Sequence, residues 1–322
     1  MTLKGKGLNI FGQLLILSAT VFWGSSFIIL KETIATVHAL YVISVRFLAS
    51  SVLLGVIFFN KIRKIDRTTL IHGLILGLVL SGAYITQTLG LKYIGAGKNA
   101  FITSLYCVMC PFMMWIMYGV KPKSYNIISA FLCVAGVGLI MFAGTDSGDE
   151  NLLLGCGLTF LCSIFYGLQI IFTNRFHERK SDVMQLLIIQ LFTVGVIIGI
   201  CSLAYELPVY GTEGYVISAE QIWKIVYLTL VCTLYAQLAQ IVGLKFTEPT
   251  QATIILTFEA VFGVVFAIIL GDERLTPMLV TGFAVIFIAT IISELKIDLL
   301  KPFKAKKRLT DTDNKSEKNE IE

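Results

Sequence analysis

Two ionisable side chains stand inside long apolar runs of this sequence. Arg46 lies within the run 38–59, and Glu259 lies near the middle of the run 249–270. An ionised group at the centre of a membrane helix costs at least about 2.5–3.5 kcal/mol, so such groups usually face a cavity or a partner. Arg46 could hold a carboxylate or a dipole of a solute, and Glu259 could carry a proton or an amine. Either side chain could instead join helices through backbone or glutamine partners.

Amide, hydroxyl and aromatic side chains recur in the same apolar runs. In lipid these polar groups need a partner, which can be another helix, water or a bound solute. The sequence therefore predicts a mildly polar cavity, lined by a minority of these residues while the others join helices. The candidate substrate-binding residues are Trp23, Ser26, Arg46, Tyr84, Gln87, Asn99, Tyr106, Tyr166, Gln169, Gln190, Tyr235, Gln237 and Glu259.

The runs that carry these residues have the length and composition of membrane-spanning helices. Of the 322 residues, 56% are hydrophobic and 15% are charged, whereas a soluble domain carries about 25% charged residues. Lipid offers backbone polar groups no partner outside the segment, so each run must be helical. The sequence predicts an all-α polytopic membrane protein with ten transmembrane helices. Their expected ranges are 11–30, 38–59, 70–91, 97–118, 124–143, 152–174, 183–204, 222–243, 249–270 and 276–294.

The distribution of Lys and Arg among the connecting segments predicts the orientation. With the N-terminus inside, the inner segments before the tail hold twelve Lys and Arg residues and the outer loops hold four. Cytoplasmic loops carry this excess in membrane proteins. We therefore expect a plasma-membrane protein whose segments 1–10 and 295–322 are cytoplasmic. The charged tail 295–322 is expected to be disordered, because it cannot bury enough apolar surface to fold alone.

One apolar phrase occurs twice. "GLKYIGAGKNAF" starts at Gly90, and "GLKFTEPTQATI" starts at Gly243, 153 residues later. "GQLLILSATVFWG" from Gly12 likewise matches "GCGLTFLCSIFYG" from Gly155, at an offset of 143. These matches predict an internal duplication that covers most of the chain.

Five helices in each copy force the second copy into the membrane upside down. The segment that starts at Arg46 aligns with the one at Gln190, and the copies are expected to cover 11–143 and 152–294. Transporters use inverted repeats of this kind to open a site between the halves to one side and then the other. Duplication for the stability of the bundle alone is the alternative interpretation.

The sequence resembles the EamA-type branch of the drug/metabolite transporter superfamily over about residues 11–294. The resemblance rests on "FWGSSF", "VRFLASSVLL", the repeated G-L-x-Y/F phrase and "LTFEAVFGVVFAIILGDERL". It implies a secondary carrier with two inverted five-helix repeats around a central cavity. Such families move small polar metabolites, amino acids, nucleobases or drugs, often outward. Asp272 follows the ninth run as in the family, but Val120 and Lys121 follow the fourth.

We therefore expect a secondary transporter, an exporter that works by alternating access. Its partners would be a small-molecule substrate, the lipid bilayer and a coupling proton or other ion, without nucleic acid. A membrane-embedded enzyme and a passive channel or structural membrane protein are the alternatives. No catalytic residue, metal site or cofactor is expected, because nucleophiles do not cluster at one depth and the histidines are scattered. "GAGK" at 95–98 lacks the flanking residues of a phosphate-binding loop.

Small residues and one proline complete the sequence predictions. Gly73 and Gly77 stand four apart, as do Gly195 and Gly199, a spacing that lets helices approach closely. This spacing predicts either packing within the chain or a homodimer contact. Pro111 is expected to kink its helix and is a hinge candidate.

Overall fold

The computed structural model describes residues 3–143, 151–178, 181–247, 249–272 and 274–297, and within these ranges its regular elements are all helices. Short helical segments, Phe59–Ile62 and Glu213–Tyr215, lie between the long ones. The long helices are α1 (Leu3–Ile34), α2 (Ala39–Ile57), α3 (Arg67–Leu91), α4 (Ala96–Tyr118), α5 (Ser124–Ala143), α6 (Leu152–Glu178), α7 (Val183–Tyr210), α8 (Ala219–Leu244), α9 (Pro249–Ile269) and α10 (Pro277–Glu294).

Eight of these helices in the described part of the chain are long and apolar enough to cross a membrane. In α5 and α9 the described side chains cover the shorter apolar stretches Ser124–Ile140 and Ile254–Ile269, while the helices themselves have 20 and 21 residues. The prediction of a helical, multi-pass membrane protein is thus confirmed, whereas the count of ten spans stays a prediction.

Several helix bounds differ from those expected. Helix α1 begins at Leu3, inside the segment expected to precede the first span. Helix α7 continues to Tyr210 through a π-helical turn, Ser202–Glu206, so the chain leaves the helix later than the end of its apolar run suggests. Helix α4 is interrupted at Ser104–Leu105, upstream of Pro111. The loop at 144–150 and the tail beyond 297 lie outside the described residues.

The largest interfaces join the first five helices to the last five. Helix α1 packs on α8 and α9, α6 packs on α3 and α4, α2 packs on α7 and α8, α3 packs on α7, and α5 packs on α10. If each helix is replaced by its counterpart in the other half (α1 by α6, α2 by α7, and so on), the same set of interfaces results. The cavity described below therefore lies between the halves, where residues of both can reach it.

The glycines of the repeated phrases lie at two matching crossings. A Cβ atom on Gly12 would lie 2.8 Å from the Gly243 carbonyl oxygen, where α1 meets the end of α8. One on Gly90 would lie 3.0 Å from the Gly155 carbonyl oxygen, where the end of α3 meets α6. Real Cβ atoms rarely come this close to other atoms, so both crossings require a residue without a side chain.

The two small-residue stripes face other helices of this chain. A Cβ atom on Gly73 would meet Ile189, and one on Gly195 would meet Leu48, in each case at 2.6 Å. Gly77 and Gly199 also contact neighbouring helices of the same chain. These contacts support the packing interpretation, and they give the predicted homodimer contact no support at these residues.

Candidate functional site

A polar cavity of about 150 Å³ lies between the two halves of the helix bundle. Most of the candidate residues named from the sequence line it. They come from helices of both halves, so no single repeat forms the cavity alone. The polar and aromatic lining residues are Trp23, Ser26, Arg46, Tyr84, Gln87, Thr103, Tyr106, Tyr166, Gln169, Gln190, Gln237, Gln240 and Glu259.

These lining residues fall at matching positions of the two repeats. The offsets of 143 and 153 that relate the repeated phrases also relate five pairs of lining residues, and an offset of 144, which aligns the segments that start at Arg46 and Gln190, relates a sixth. The charged members break this symmetry, because an uncharged residue stands opposite each of them. The pairs are Trp23 with Tyr166, Ser26 with Gln169, Arg46 with Gln190, Tyr84 with Gln237, Gln87 with Gln240, and Tyr106 with Glu259.

Arg46 is only 2% exposed and is held by α8. Its Nε donates a hydrogen bond to Thr233 Oγ1, and its Nη2 donates to the Cys232 carbonyl oxygen at 3.4 Å. The guanidinium also lies 6.0 Å from the ring centroid of Tyr84. Among the described residues no carboxylate lies within ion-pair distance of Arg46. The side chain is therefore fixed in place, while further N–H groups of the guanidinium stay available to a bound anion or dipole.

A π-helical turn in α8, Leu230–Tyr235, supplies the acceptors for Arg46. Such a turn shifts the hydrogen-bond pattern of the helix and is common at functional sites. Here the Cys232 carbonyl also accepts from Trp23 Nε1 at 3.0 Å. Thr233 Oγ1 donates to the Leu228 carbonyl at 2.8 Å and so presents its lone pairs to Arg46. One irregular turn thus anchors two residues of the cavity wall.

Glu259 reaches the same cavity from α9. Among the described residues it has neither a hydrogen-bond partner nor an ion pair. A carboxyl group in this position can accept a proton or bind a cationic group of a solute. The cavity therefore contains one fixed cation and one carboxyl group without a protein partner.

Amide groups give the remaining wall its hydrogen-bonding capacity. Gln169 Nε2 donates to Gln190 Oε1 at 3.4 Å, and Gln87 Nε2 donates to Thr103 Oγ1 at 3.3 Å. Amides carry both donors and acceptors, so this wall can bind neutral polar groups of either kind.

Aromatic rings form a second part of the wall. The Tyr84 ring lies 4.5 Å from that of Phe47 and 5.8 Å from that of Tyr166, measured between centroids. Tyr106 lies 6.2 Å from Tyr166. The edge-to-face pairs of Tyr84 with Phe47 and Tyr166, and the tilted pair of Tyr106 with Tyr166, hold the rings in place and leave flat apolar surface beside the polar groups.

Two residues named from the sequence lie away from this cavity. Asn99 is fully buried and joins helices, because its Nδ2 donates to the Gln87 carbonyl and to Thr159 Oγ1. Tyr235 is 39% exposed, and its hydroxyl lies 2.9 Å from Ser18 Oγ.

A wider cavity of about 450 Å³ continues from the first and shares part of its wall, including Tyr106 and Gln240. It extends to the ends of α6, α8 and α10, where Asn174, Leu244 and Glu294 line it. We call this side of the bundle the open end. Gly12 near the start of α1 contacts Gly243 near the end of α8, so α1 begins on this side.

The opposite side, which we call the sealed end, is crossed by contacts between the halves. Lys31 at the end of α1 forms an ion pair of 2.6 Å with Asp272 after α9. The backbone N–H of His38 donates to the Gly214 carbonyl at 3.1 Å. Leu91 is fully buried and lies between the central cavity and an outer groove. These contacts separate the cavity from that side.

Several polar lining residues were not foreseen from the sequence, among them Thr103, Gln240, Asn174 and Glu294. Gln240 lies 153 residues after Gln87, so the repeat offset could have identified it. Asn174 and Glu294 line the wider cavity near helix ends, where polar residues are common and carry no distinctive signal. In the described part of the chain no three His, Cys, Asp or Glu side chains cluster as a metal site would require.

Comparisons with known proteins extend the resemblance seen in the sequence. The model of the EamA-like transporter family matches residues 10–142 and again residues 153–295. A protein of Archaeoglobus fulgidus described as an uncharacterized transporter is 25% identical over 289 residues, which cover 90% of this chain and 87% of that protein. A solved crystal structure superposes with a TM-score of 0.61 at 13% identity, over 88% of this chain and 96% of that one, and shares its fold.

Proposed function

The chain belongs to the EamA-like transporter family, and on that premise we propose that it exports a small polar metabolite, amino acid or drug-like solute. The proposed mechanism is alternating access, in which a secondary carrier opens its cavity first to one side of the plasma membrane and then to the other. In this proposal the chain is a carrier and not an enzyme, and its partners are the solute, the bilayer and a coupling ion.

The observation that carries the proposal is the position of Arg46 and Glu259 in one cavity between the halves. Ionisable groups are costly inside a membrane protein, and they mark solute or ion pathways when they face a cavity. Arg46 would bind an anionic or dipolar group of the solute, since further N–H groups of its guanidinium remain free. The amides would bind neutral polar groups, and the tyrosines would contact apolar surface of the solute.

We further propose that the halves are inverted five-helix repeats, as alternating access requires. The twofold family match, the exchangeable interfaces and the paired lining residues support this arrangement. The crossings Gly12–Gly243 and Gly90–Gly155 are equivalent under it. A rocking motion of one half on the other would then close the open end and open the sealed end.

The direction of transport follows from which end is cytoplasmic. The excess of Lys and Arg in the segments on the side of α1's start favours a cytoplasmic location for the open end and for both termini. The structure would then correspond to an inward-facing state, in which the cavity receives solute from the cytoplasm. Export needs that state as its loading step.

We assign to Glu259 the coupling of solute transport to the proton gradient. A carboxyl group without a protein partner in a solvent-connected cavity can bind a proton on one side and release it on the other. An inward proton gradient would then drive the outward movement of solute.

The test is flux through purified protein in liposomes with and without a pH gradient. The panel should hold amino acids, nucleobases and cationic dyes, because the cavity presents a cation, a carboxyl group, amides and aromatic rings. Movement of at least one solute class that depends on Arg46 is the expected result. If protein that is folded by its elution profile moves none of these solutes under any gradient, the carrier proposal fails.

A further inference from the structure

Asp272 binds two groups of the other half at the sealed end. Its Oδ1 lies 2.6 Å from Lys31 Nζ, and its Oδ2 accepts from the backbone N–H of Ala96 at 2.7 Å. Ala96 is the first residue of α4, so the carboxylate also caps that helix and faces the positive end of its dipole. The Asp272 side chain is 14% exposed, and that of Lys31 is 28% exposed.

A second carboxylate of the same half closes the sealed end in the same way. Glu206, which is 1% exposed, accepts from the backbone N–H of Leu40 at 2.9 Å and from that of Tyr41 at 3.2 Å. These N–H groups belong to the first turn of α2, whose own N-cap residue His38 makes no side-chain cap. Two helices of the first half thus begin against carboxylates of the second half.

The corresponding positions at the open end cannot form the Asp272 contact. Gly119 directly follows α4 and Gly271 lies two residues after α9, both with positive φ. Aligning these two glycines, at an offset of 152 and so one residue short of 153, aligns the residues that follow them. Val120 then stands where Asp272 stands in the other repeat. Asn174 replaces Lys31 at the offset of 143, and Pro249, which has no N–H, replaces Ala96 at the offset of 153. The open end therefore lacks equivalents of the Asp272 carboxylate, the Lys31 ammonium group and the backbone N–H of Ala96.

We infer that Asp272 is a one-sided latch that holds the sealed end closed while no solute is bound. The inference rests on the proposed alternating access. In two inverted halves with identical contacts, the two opposite states would have similar energies. The latch stabilises only the state seen here, because the opposite state has no equivalent contact to form. Without bound solute, the carrier therefore favours the state in which the cavity is accessible from the open end and closed at the sealed end.

The experiment measures access to single cysteines with a membrane-impermeant maleimide. All native cysteines except the reporter are replaced. Leu91→Cys reports on the sealed end, because Leu91 lies between the cavity and the outer groove. Native Cys110 reports on the open end, because it lines the wider cavity. With the latch intact, reagent applied from the sealed end labels the Leu91→Cys reporter slowly, and the labelling rate of Cys110 by reagent from the open end sets the reference for that side.

Asp272→Asn removes the charge but keeps an acceptor for Ala96, and Asp272→Ala removes both contacts. Each should raise the labelling rate of the Leu91→Cys reporter, with Asp272→Ala above Asp272→Asn and an increase of about tenfold, the scale of a lost charged hydrogen bond. Lys31→Met should give an increase close to that of Asp272→Asn. Glu213→Gln is the matched control, because Glu213 is an exposed carboxylate near the same end that forms no ion pair within the described part of the chain, and it should change nothing.

A gain-of-contact variant tests the same idea without weakening the fold. Val120→Asp combined with Asn174→Lys places an ion pair at the open end, at the positions equivalent to Asp272 and Lys31. It should slow the labelling of Cys110 and speed that of the Leu91→Cys reporter. Unchanged labelling in both the latch-removal variants and this variant would overturn the latch.

The labelling result is separate from the question of flux. If labelling shifts as expected but no solute moves, the latch stands and the carrier proposal fails. If solute moves while labelling is the same in every variant, the carrier proposal stands and the latch fails.

Discussion

Gly155 and Gly90 approach each other so closely, where α6 crosses the end of α3, that neither position has room for a side chain. A Cβ atom on Gly155 would lie 3.3 Å from the Gly90 carbonyl oxygen, 2.8 Å from the Cβ of Tyr93 and 2.6 Å from Cγ2 of Ile94. The phrase that begins at Gly90 therefore shapes one face of a helix crossing. Its second copy at Gly243 does the same for Gly12. In this chain, a glycine that recurs in both copies of the apolar phrase marks a place where two helices approach each other closely in each half.

Gly155→Ala should destabilise the protein, because the added methyl group meets backbone and side-chain atoms that cannot move away. Overpacking of this kind costs about 1–3 kcal/mol. Gly157→Ala is the matched control in the same helix, since a Cβ atom there would meet nothing within 4 Å. Thermal unfolding of the detergent-solubilised protein should show a lower midpoint for Gly155→Ala only. Equal midpoints for the two variants would contradict the close crossing.

The parts of the fold that could be predicted from the sequence are those encoded by long sequence patterns. Apolar runs bounded by charged residues predicted the helices, and the repeated phrases predicted that two halves would meet. Bounds were missed where backbone geometry decides them. The π-helical turn Ser202–Glu206 carries α7 beyond its apolar run, and the break at Ser104–Leu105 divides α4 away from its proline. Neither feature has a composition that distinguishes it from an ordinary helical turn.

Arg46→Gln should reduce flux, because it removes the fixed cation that faces the cavity. A lost hydrogen bond to a charged group costs about 1.5–3 kcal/mol, so we expect a rise in KM of about tenfold or more. Arg46→Lys keeps the charge and should retain more flux than Arg46→Gln. Flux and membrane protein content are measured together in liposomes.

Two further variants separate binding by Arg46 from its contacts with α8. Thr233→Val removes the acceptor of Arg46 Nε but keeps the cation, so it should raise KM less than Arg46→Gln does. Arg67→Gln removes an exposed cation at the start of α3 and should leave flux unchanged. Normal flux in Arg46→Gln would show that Arg46 only joins helices.

The candidate site could be predicted by residue type but not by helix face. Tyr235 and Asn99 have the same chemistry as Tyr84 and Gln87, yet they point to neighbouring helices. A helix that is apolar all round has no marked polar face, so its sequence does not show which side meets the cavity. Gln240 shows that the repeat offset carries part of the missing information, because its partner Gln87 was identified from the sequence.

Asp182 should stabilise the start of α7 mainly as a helix cap. Its Oδ1 accepts from the backbone N–H groups of Met184 and Gln185, and its Oδ2 lies 2.6 Å from Lys61 Nζ. Asp182→Ala should cost about 1 kcal/mol, the usual value of a lost cap. Asp182→Asn keeps a cap acceptor and should cost less. Lys61→Met should also cost little, because an exposed ion pair contributes about 0–1 kcal/mol.

The stabilisation that Asp182 gives the folded protein should decrease as the pH falls. Partial burial raises the pKa of its carboxyl group, but the hydrogen bonds from Lys61 and the α7 backbone outweigh this and hold the pKa below its ordinary value of 3.8. A lowered pKa in the folded state means that the stabilisation is present above that ordinary value and is lost as the pH falls through the folded value. Thermal unfolding from pH 7 down to pH 3 should therefore bring the midpoints of wild type and Asp182→Ala closer together. A constant difference between them would contradict the assignment.

Glu259→Gln should uncouple flux from the pH gradient. The amide keeps the size of the side chain and its place in the cavity, but it cannot exchange a proton. Solute exchange in the absence of a gradient should persist, because Arg46 and the amide wall remain, whereas accumulation driven by an imposed pH gradient should disappear. Glu220→Gln removes a carboxylate outside the cavity and should retain gradient-driven accumulation. If Glu259→Gln accumulates solute as wild type does, the coupling proton binds elsewhere. If it loses exchange as well, Glu259 contacts the solute itself, as a carboxylate that binds a cationic group would.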